Sequence, residues 1–220
     1  MTAHAHPWRG PVALVALSLV PVIAGSVRLF GLATGAEVTP ETARFAASPF
    51  PFTLHIACAI PYCLLGALQF SAGFRRRWPA WHRRAGRVLA ALGVLAAASG
   101  VWMAVSYDIP AAMQGPLLLV VRVAVGLSMA AAIVHAVGAI LRRDVAAHER
   151  WMIRAYALGQ GAGTQVLVLG PALLALGEVL GPTRDLLMTL AWVINLAVAE
   201  LVIRRPHAPL VAASHRSVSS

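Results

Sequence analysis

Six apolar stretches, separated by short polar connections, run through this chain at residues 11–33, 50–72, 88–107, 117–141, 155–177 and 186–203. A helix that crosses a bilayer needs about 20 mostly apolar residues. Apolar residues are 59% of the 220 and charged residues 12%, with a mean hydropathy of +0.75. A water-soluble domain of this length has no interior large enough for so much apolar surface. Strict apolar/polar alternation is missing, which argues against a β-barrel. Helices pair their own backbone donors and acceptors, as lipid demands. The predicted fold is therefore an all-α integral membrane protein with six transmembrane helices. Spans two to five are expected to form a four-helix bundle, with spans one and six packed outside it. Residues 204–220 read as a disordered cytoplasmic tail.

The cations fix an orientation. All 18 basic residues are arginine, and fourteen of them fall in the amino end, the second and fourth connections and the tail. The opposite connections hold only Arg44 and Arg184, alongside Glu37, Glu41, Asp108, Glu178 and Asp185. This asymmetry predicts that both termini are cytoplasmic. The prokaryotic composition and the lack of an extramembrane domain point to a bacterial cytoplasmic membrane. The net charge of +10 then reflects topology. It does not indicate a nucleic-acid partner, because the arginines are spread over short loops. The first span reads as a retained helix rather than a cleaved signal, since its apolar run is long and its basic flank thin.

Several motifs dissolve on inspection. Cys58 and Cys63 sit five residues apart on different faces of one span and read as small core residues. His148-Glu149 lacks the second histidine of a zinc-protease helix, because position 152 is Met. Gly159-Gln-Gly161-Ala-Gly163 lies in an apolar span with no preceding strand, so it is no phosphate loop. Gly159 and Gly163 instead have the spacing of a close-packing face. Gln160, Thr164 and Gln165 are candidates for helix–helix hydrogen bonds. Thr2-Ala3-His4 would form an amino-terminal copper or nickel site if the initiator Met were removed.

The second and fourth connections echo each other as Arg-Arg-x4-His-x-Arg, at Arg76 to Arg84 and Arg142 to Arg150. A true repeat makes spans two–three and four–five two hairpins of equal orientation, related by an axis along the membrane normal. His82 and His148 would then meet near the cytoplasmic surface.

Three runs carry a resemblance: His55 through Gly66-Ala-Leu-Gln69-Phe70, then Trp81-His82-Arg83-Arg84-Ala-Gly86-Arg87, and then Asp144 through His148-Glu-Arg150-Trp151-Met152-Ile-Arg154-Ala-Tyr156. Over roughly residues 50–200 the chain resembles a broad bacterial family of membrane proteins, the domain of unknown function numbered 2306. That resemblance implies a membrane location and carries no activity. The chain is also loosely similar to four-helix b-type cytochromes with one histidine ligand on each of four successive spans. Here spans two to five bring His55, His82, His135 and His148. By helical rise, His55 lies about 8 Å below the outer face and His135 about 9 Å above the inner one, so those two cannot share a haem.

Ionisable groups inside spans are expensive and serve as default functional hypotheses. They sort into two layers. Arg28, His55 and Arg122 lie near the outer surface with no acid at their depth. They are satisfied by snorkelling, by Glu178 or Asp185 reaching in, or by a ligand carboxylate, phosphate or quinone oxygen. The inner layer holds Gln69, His82, His135, His148, Arg154, Tyr156 and Glu200. Neutral imidazoles there suit a transition metal, and arginines suit haem propionates. Alternatively, Glu200 pairs with Arg154 and closes the layer without a ligand.

Three functions follow. The first is haem b- or quinone-linked redox through His82, His148 and His135. The second is transport of a small anion or weak acid through a site of Arg28, His55 and Arg122. The third is a non-catalytic scaffold or assembly factor. No residue is singled out as catalytic.

Overall fold

A computed structural model of the chain describes residues 8–40 and 42–205. The Thr2-Ala3-His4 site, Glu41 and nearly all of the expected tail lie outside the described residues. Nine helices follow in order among those described: α1 (Arg9–Thr34), α2 (Ala43–Ala47), α3 (Pro49–Gln69), α4 (Ala72–Arg77), α5 (Pro79–Ser106), α6 (Pro116–Leu141), α7 (Val145–Gly159), α8 (Gly161–Leu176) and α9 (Gly181–Arg204). Described residues contain no strand. Helices α1, α3, α5, α6 and α9 are long and apolar enough to cross a membrane, and α7 with α8, bent by 43° at their junction, is a sixth if the pair is counted as one span. The protein is an all-α membrane protein.

Local chemistry explains the helix ends. Pro49, Pro79 and Pro116 stand at the starts of α3, α5 and α6, where a missing N–H is no loss. The Asp144 carboxylate accepts from the Ala147 N–H at 2.9 Å and caps α7. Two boundaries differ from the apolar stretches. Helix α5 starts at Pro79 rather than near 88, because the arginine-bearing turns continue the helix beyond the hydrocarbon. The fifth span starts at Val145 rather than near 155 and bends by 43° at Gln160.

The core is a four-helix bundle of α3, α5, α6 and α7, centred on Tyr62, Ala97, Met129, Ile133 and Tyr156. Helix α1 rests on α3 and α8, while α9 rests on α6, α7 and α8. Small residues let these helices approach. A β-carbon at Gly93 would stand 2.6 Å from Tyr62 Cε2, and one at Gly159 would stand 2.8 Å from Tyr62 Cε1. These two glycines are 66 positions apart, the same offset as His82 and His148. Between α1 and α8, Pro21 cannot donate to the Leu17 carbonyl, and that carbonyl packs directly against Gly163.

The break in the fifth span is held by side chains. Freed carbonyls inside a bilayer need a partner from the protein. Asn195 Nδ2 donates to the Ala157 carbonyl at 3.0 Å, and Trp192 Nε1 donates to that of Leu158 at 3.2 Å. Thr164 Oγ1 donates to Asn195 Oδ1 at 2.6 Å. These bonds pin α9 against both halves of the broken span.

Candidate functional site

Two polar regions lie at opposite ends of the bundle. One is the end to which the α3–α4–α5 and α6–α7 connections bring Arg75–Arg77, Arg142 and Arg143, hereafter the arginine-rich end. The other is the arginine-poor end.

A cavity of ≈ 490 Å³ runs inward from the arginine-poor end. Arg28 of α1, Arg44 of α2, His55 of α3, Arg122 of α6 and Arg184 of α9 all line it. The three residues expected in the outer layer therefore share one space. No Asp or Glu occurs among the described residues that line it. The local contacts are modest. Arg122 donates to Gln114 Oε1. Arg184 Nε donates to the Met113 carbonyl at 3.3 Å. Arg28 is exposed and stands 5.6 Å from the centre of the Phe45 ring, while Arg44 stands 4.7 Å from the same ring. Among the described residues, none of Arg28, Arg122 and Arg184 forms an ion pair.

His55 Nδ1 lies 2.9 Å from the Ala96 carbonyl. A carbonyl only accepts, so Nδ1 carries a proton and the ring is held in one orientation. The expected acid partner, Asp185, is within electrostatic reach of Arg122 and Arg184 but forms no ion pair with them among the described residues. Asp185 is 2% exposed and accepts from the N–H groups of Gly115 at 3.1 Å and Leu118 at 3.2 Å. It caps α6 from α9, the favoured place for a carboxylate at a helix start. Glu178 is exposed and forms no ion pair among the described residues.

The cavity ends at the bend in the fifth span. Gln160 Oε1 lies 3.0 Å from Ser18 Oγ, and Gln160 Nε2 donates to Tyr156 Oη at 2.8 Å. Tyr156 in turn donates to the Cys63 carbonyl. The Tyr62 hydroxyl is buried with no hydrogen-bond partner among the described residues.

The arginine-rich end is built differently. Arg154 Nε donates to Glu200 Oε1 at 2.6 Å, and Nη2 donates to Oε2 at 3.1 Å. This is the paired alternative for the inner layer. His148 Nδ1 lies 2.9 Å from the Ala136 carbonyl, and His148 is within electrostatic reach of His82. His135 turns away: it is exposed, bonds the Ala131 carbonyl of its own helix at 2.7 Å and packs on Trp151 with centroids 5.1 Å apart. His82 Nδ1 and both amide atoms of Gln69 are buried without hydrogen-bond partners among the described residues. Arg75 Nη1 donates to the Gln69 carbonyl at 2.9 Å. Among the described residues, no three His, Cys, Asp or Glu side chains converge to hold a metal ion. Cys58 and Cys63 are free thiols.

Sequence reasoning missed Arg44, Arg184, Gln114 and Trp192 as cavity residues or supports. Arg44 and Arg184 read as loop cations. Only the packing of α2 and the first turn of α9 brings them to the cavity.

The family described as Predicted membrane protein (DUF2306) matches residues 52–203. The chain belongs to this family. The match runs from within α3 to near the end of α9 and so covers the residues of the bundle, of the bend and of most of the cavity wall. No curated protein and no solved structure matches the chain.

Proposed function

We propose that this chain binds a small organic anion in the cavity at its arginine-poor end and passes it across a bacterial cytoplasmic membrane. The arginine-rich end and both termini lie in the cytoplasm in this reading, which the cation asymmetry of the connections supports. One observation carries the anion: Arg28, His55, Arg122 and Arg184 line a single cavity whose described lining contains no carboxylate. A cation within hydrocarbon costs about 2.5–3.5 kcal/mol, and several around one space also repel one another. A bound carboxylate or phosphate relieves both costs and takes bidentate bonds from guanidinium. Movement is supported by the bend at Gln160, because broken spans at membrane depth recur where transporters bind substrate.

The test is uptake into proteoliposomes. The wild type should accumulate labelled carboxylates or phosphate saturably, and Arg122→Gln should lose that flux while keeping its helix content and elution volume. An absence of saturable flux for every carboxylate and phosphate tested contradicts the reading.

A second reading, redox chemistry at the arginine-rich end, is favoured by one specific feature. His82 keeps a buried, unpartnered Nδ1 within electrostatic reach of His148. Protein from haem-replete cells should then show a Soret band that vanishes in His82→Ala and His148→Ala. A colourless preparation rejects it. A scaffold role predicts tolerance of all these substitutions.

A further inference from the structure

The cationic part of the cavity is only its mouth. Seven residues separate His55 from Tyr62 on α3, about 10 Å at 1.5 Å per residue. Along that length the wall is apolar: Val22, Ile56, Ala59, Ala97, Val101 and Val125. Polar side chains at the far end are largely engaged by the protein: Ser18 bonds Gln160, Gln160 Nε2 donates to Tyr156, Gln165 Nε2 donates to the Met188 carbonyl at 3.4 Å, and Trp192 Nε1 donates to that of Leu158, while the Tyr62 hydroxyl is buried. A ligand with polar groups at both ends would find few free partners for the inner one.

Size points the same way. A volume of ≈ 490 Å³ falls in the range of sites for drug-sized molecules, about 300–1,000 Å³. An inorganic anion would occupy the guanidinium mouth and leave the apolar shaft without contacts.

We propose that the ligand is an amphiphilic anion: one carboxylate or phosphate head on a single alkyl chain. The head sits among Arg28, Arg122 and Arg184, and the chain runs down the shaft toward Tyr62. The proposal rests on the anion-binding reading above and names the class of its substrate.

Trp192 lines the cavity and provides a reporter. Protein in lipid nanodiscs is titrated with a ten-carbon straight-chain carboxylate brominated at its tail, and Trp192 emission is taken as wild type minus Trp192→Phe. The expected result is saturable quenching, weakened about tenfold or more by Arg122→Gln. Acetate or inorganic phosphate in tenfold excess should not displace the probe. Ala97→Leu, which fills the shaft, should weaken the ten-carbon acid while leaving a four-carbon acid unchanged.

Equal quenching by a brominated alcohol of the same length would mean bilayer partitioning and overturn the proposal. Displacement by equimolar acetate or phosphate would overturn the amphiphile and leave the anion site standing. Failure of short acids, long acids and phosphate alike to bind would sink both.

Discussion

Arg154 and Arg122 are both guanidiniums within membrane-spanning helices, and their surroundings could hardly differ more. Arg154 meets Glu200 with two bonds, at 2.6 and 3.1 Å, and His148 beside that region holds a backbone carbonyl at 2.9 Å. Arg122 has a neutral amide, with Arg184 nearby and the neighbouring Asp185 committed to capping α6. Charge inside a bilayer is thus informative chiefly through its partners. A cation answered by a carboxylate closes a structure. Cations that line one cavity, with the nearest carboxylate hydrogen-bonded to a helix start, are what the proposed anion site is built on. The arginine-rich end carries one exception, since His82 and Gln69 keep buried polar atoms unpartnered.

Substitutions break this contrast in a ranked order. Asn195→Leu should cost the most stability, about 1–3 kcal/mol, since it leaves the Ala157 carbonyl and Thr164 hydroxyl unmet at the bend. Chemical denaturation in mixed micelles would measure it, with Thr164→Val expected to couple non-additively. Glu200→Gln should destabilise by about 1 kcal/mol, because it strips the part-exposed Arg154 fork of its anion. The same denaturation assay applies, and Asp at the same position should recover part of the loss.

Arg122→Gln should leave ligand-free stability between about 0.5 kcal/mol lower and about 2 kcal/mol higher. The lost bond to Gln114, about 1.5–3 kcal/mol, offsets the relieved burial of a cation, about 2.5–3.5 kcal/mol. Tyr62→Phe should be the mildest, neutral or stabilising by up to about 1 kcal/mol, because the hydroxyl it removes has no partner. A loss of more than that would mean the hydroxyl is bonded in the folded protein.

Much of this architecture is legible in the sequence. Lipid imposes long apolar runs, so the spans announce themselves, and helical rise alone places Arg28, His55 and Arg122 at one depth. Rotation about each helix axis is not legible. A span that is apolar all round carries no directional signal. That is why His135 and His148 read alike, although one faces outward onto Trp151 and the other bonds across to α6. The bend at Gln160 was hidden for a related reason. Gly159-Gln-Gly161-Ala-Gly163 remains apolar enough to continue a span, and only Asn195 and Trp192, some thirty residues on, supply the partners that let it break. Asp185 is within electrostatic reach of Arg122 and Arg184, as its position in the sequence suggests, but its hydrogen bonds cap α6, a helix distant in sequence, and that role is not legible.

Thermal unfolding of the protein in nanodiscs, with and without a ten-carbon carboxylate, tests the central claim most directly. A ligand that binds only the folded state raises the midpoint in proportion to its occupancy. The account predicts a clear rise for the wild type, no rise for Arg122→Gln, and an undiminished rise for Glu200→Gln. An equal rise in wild type and Arg122→Gln, or none in either, would contradict it.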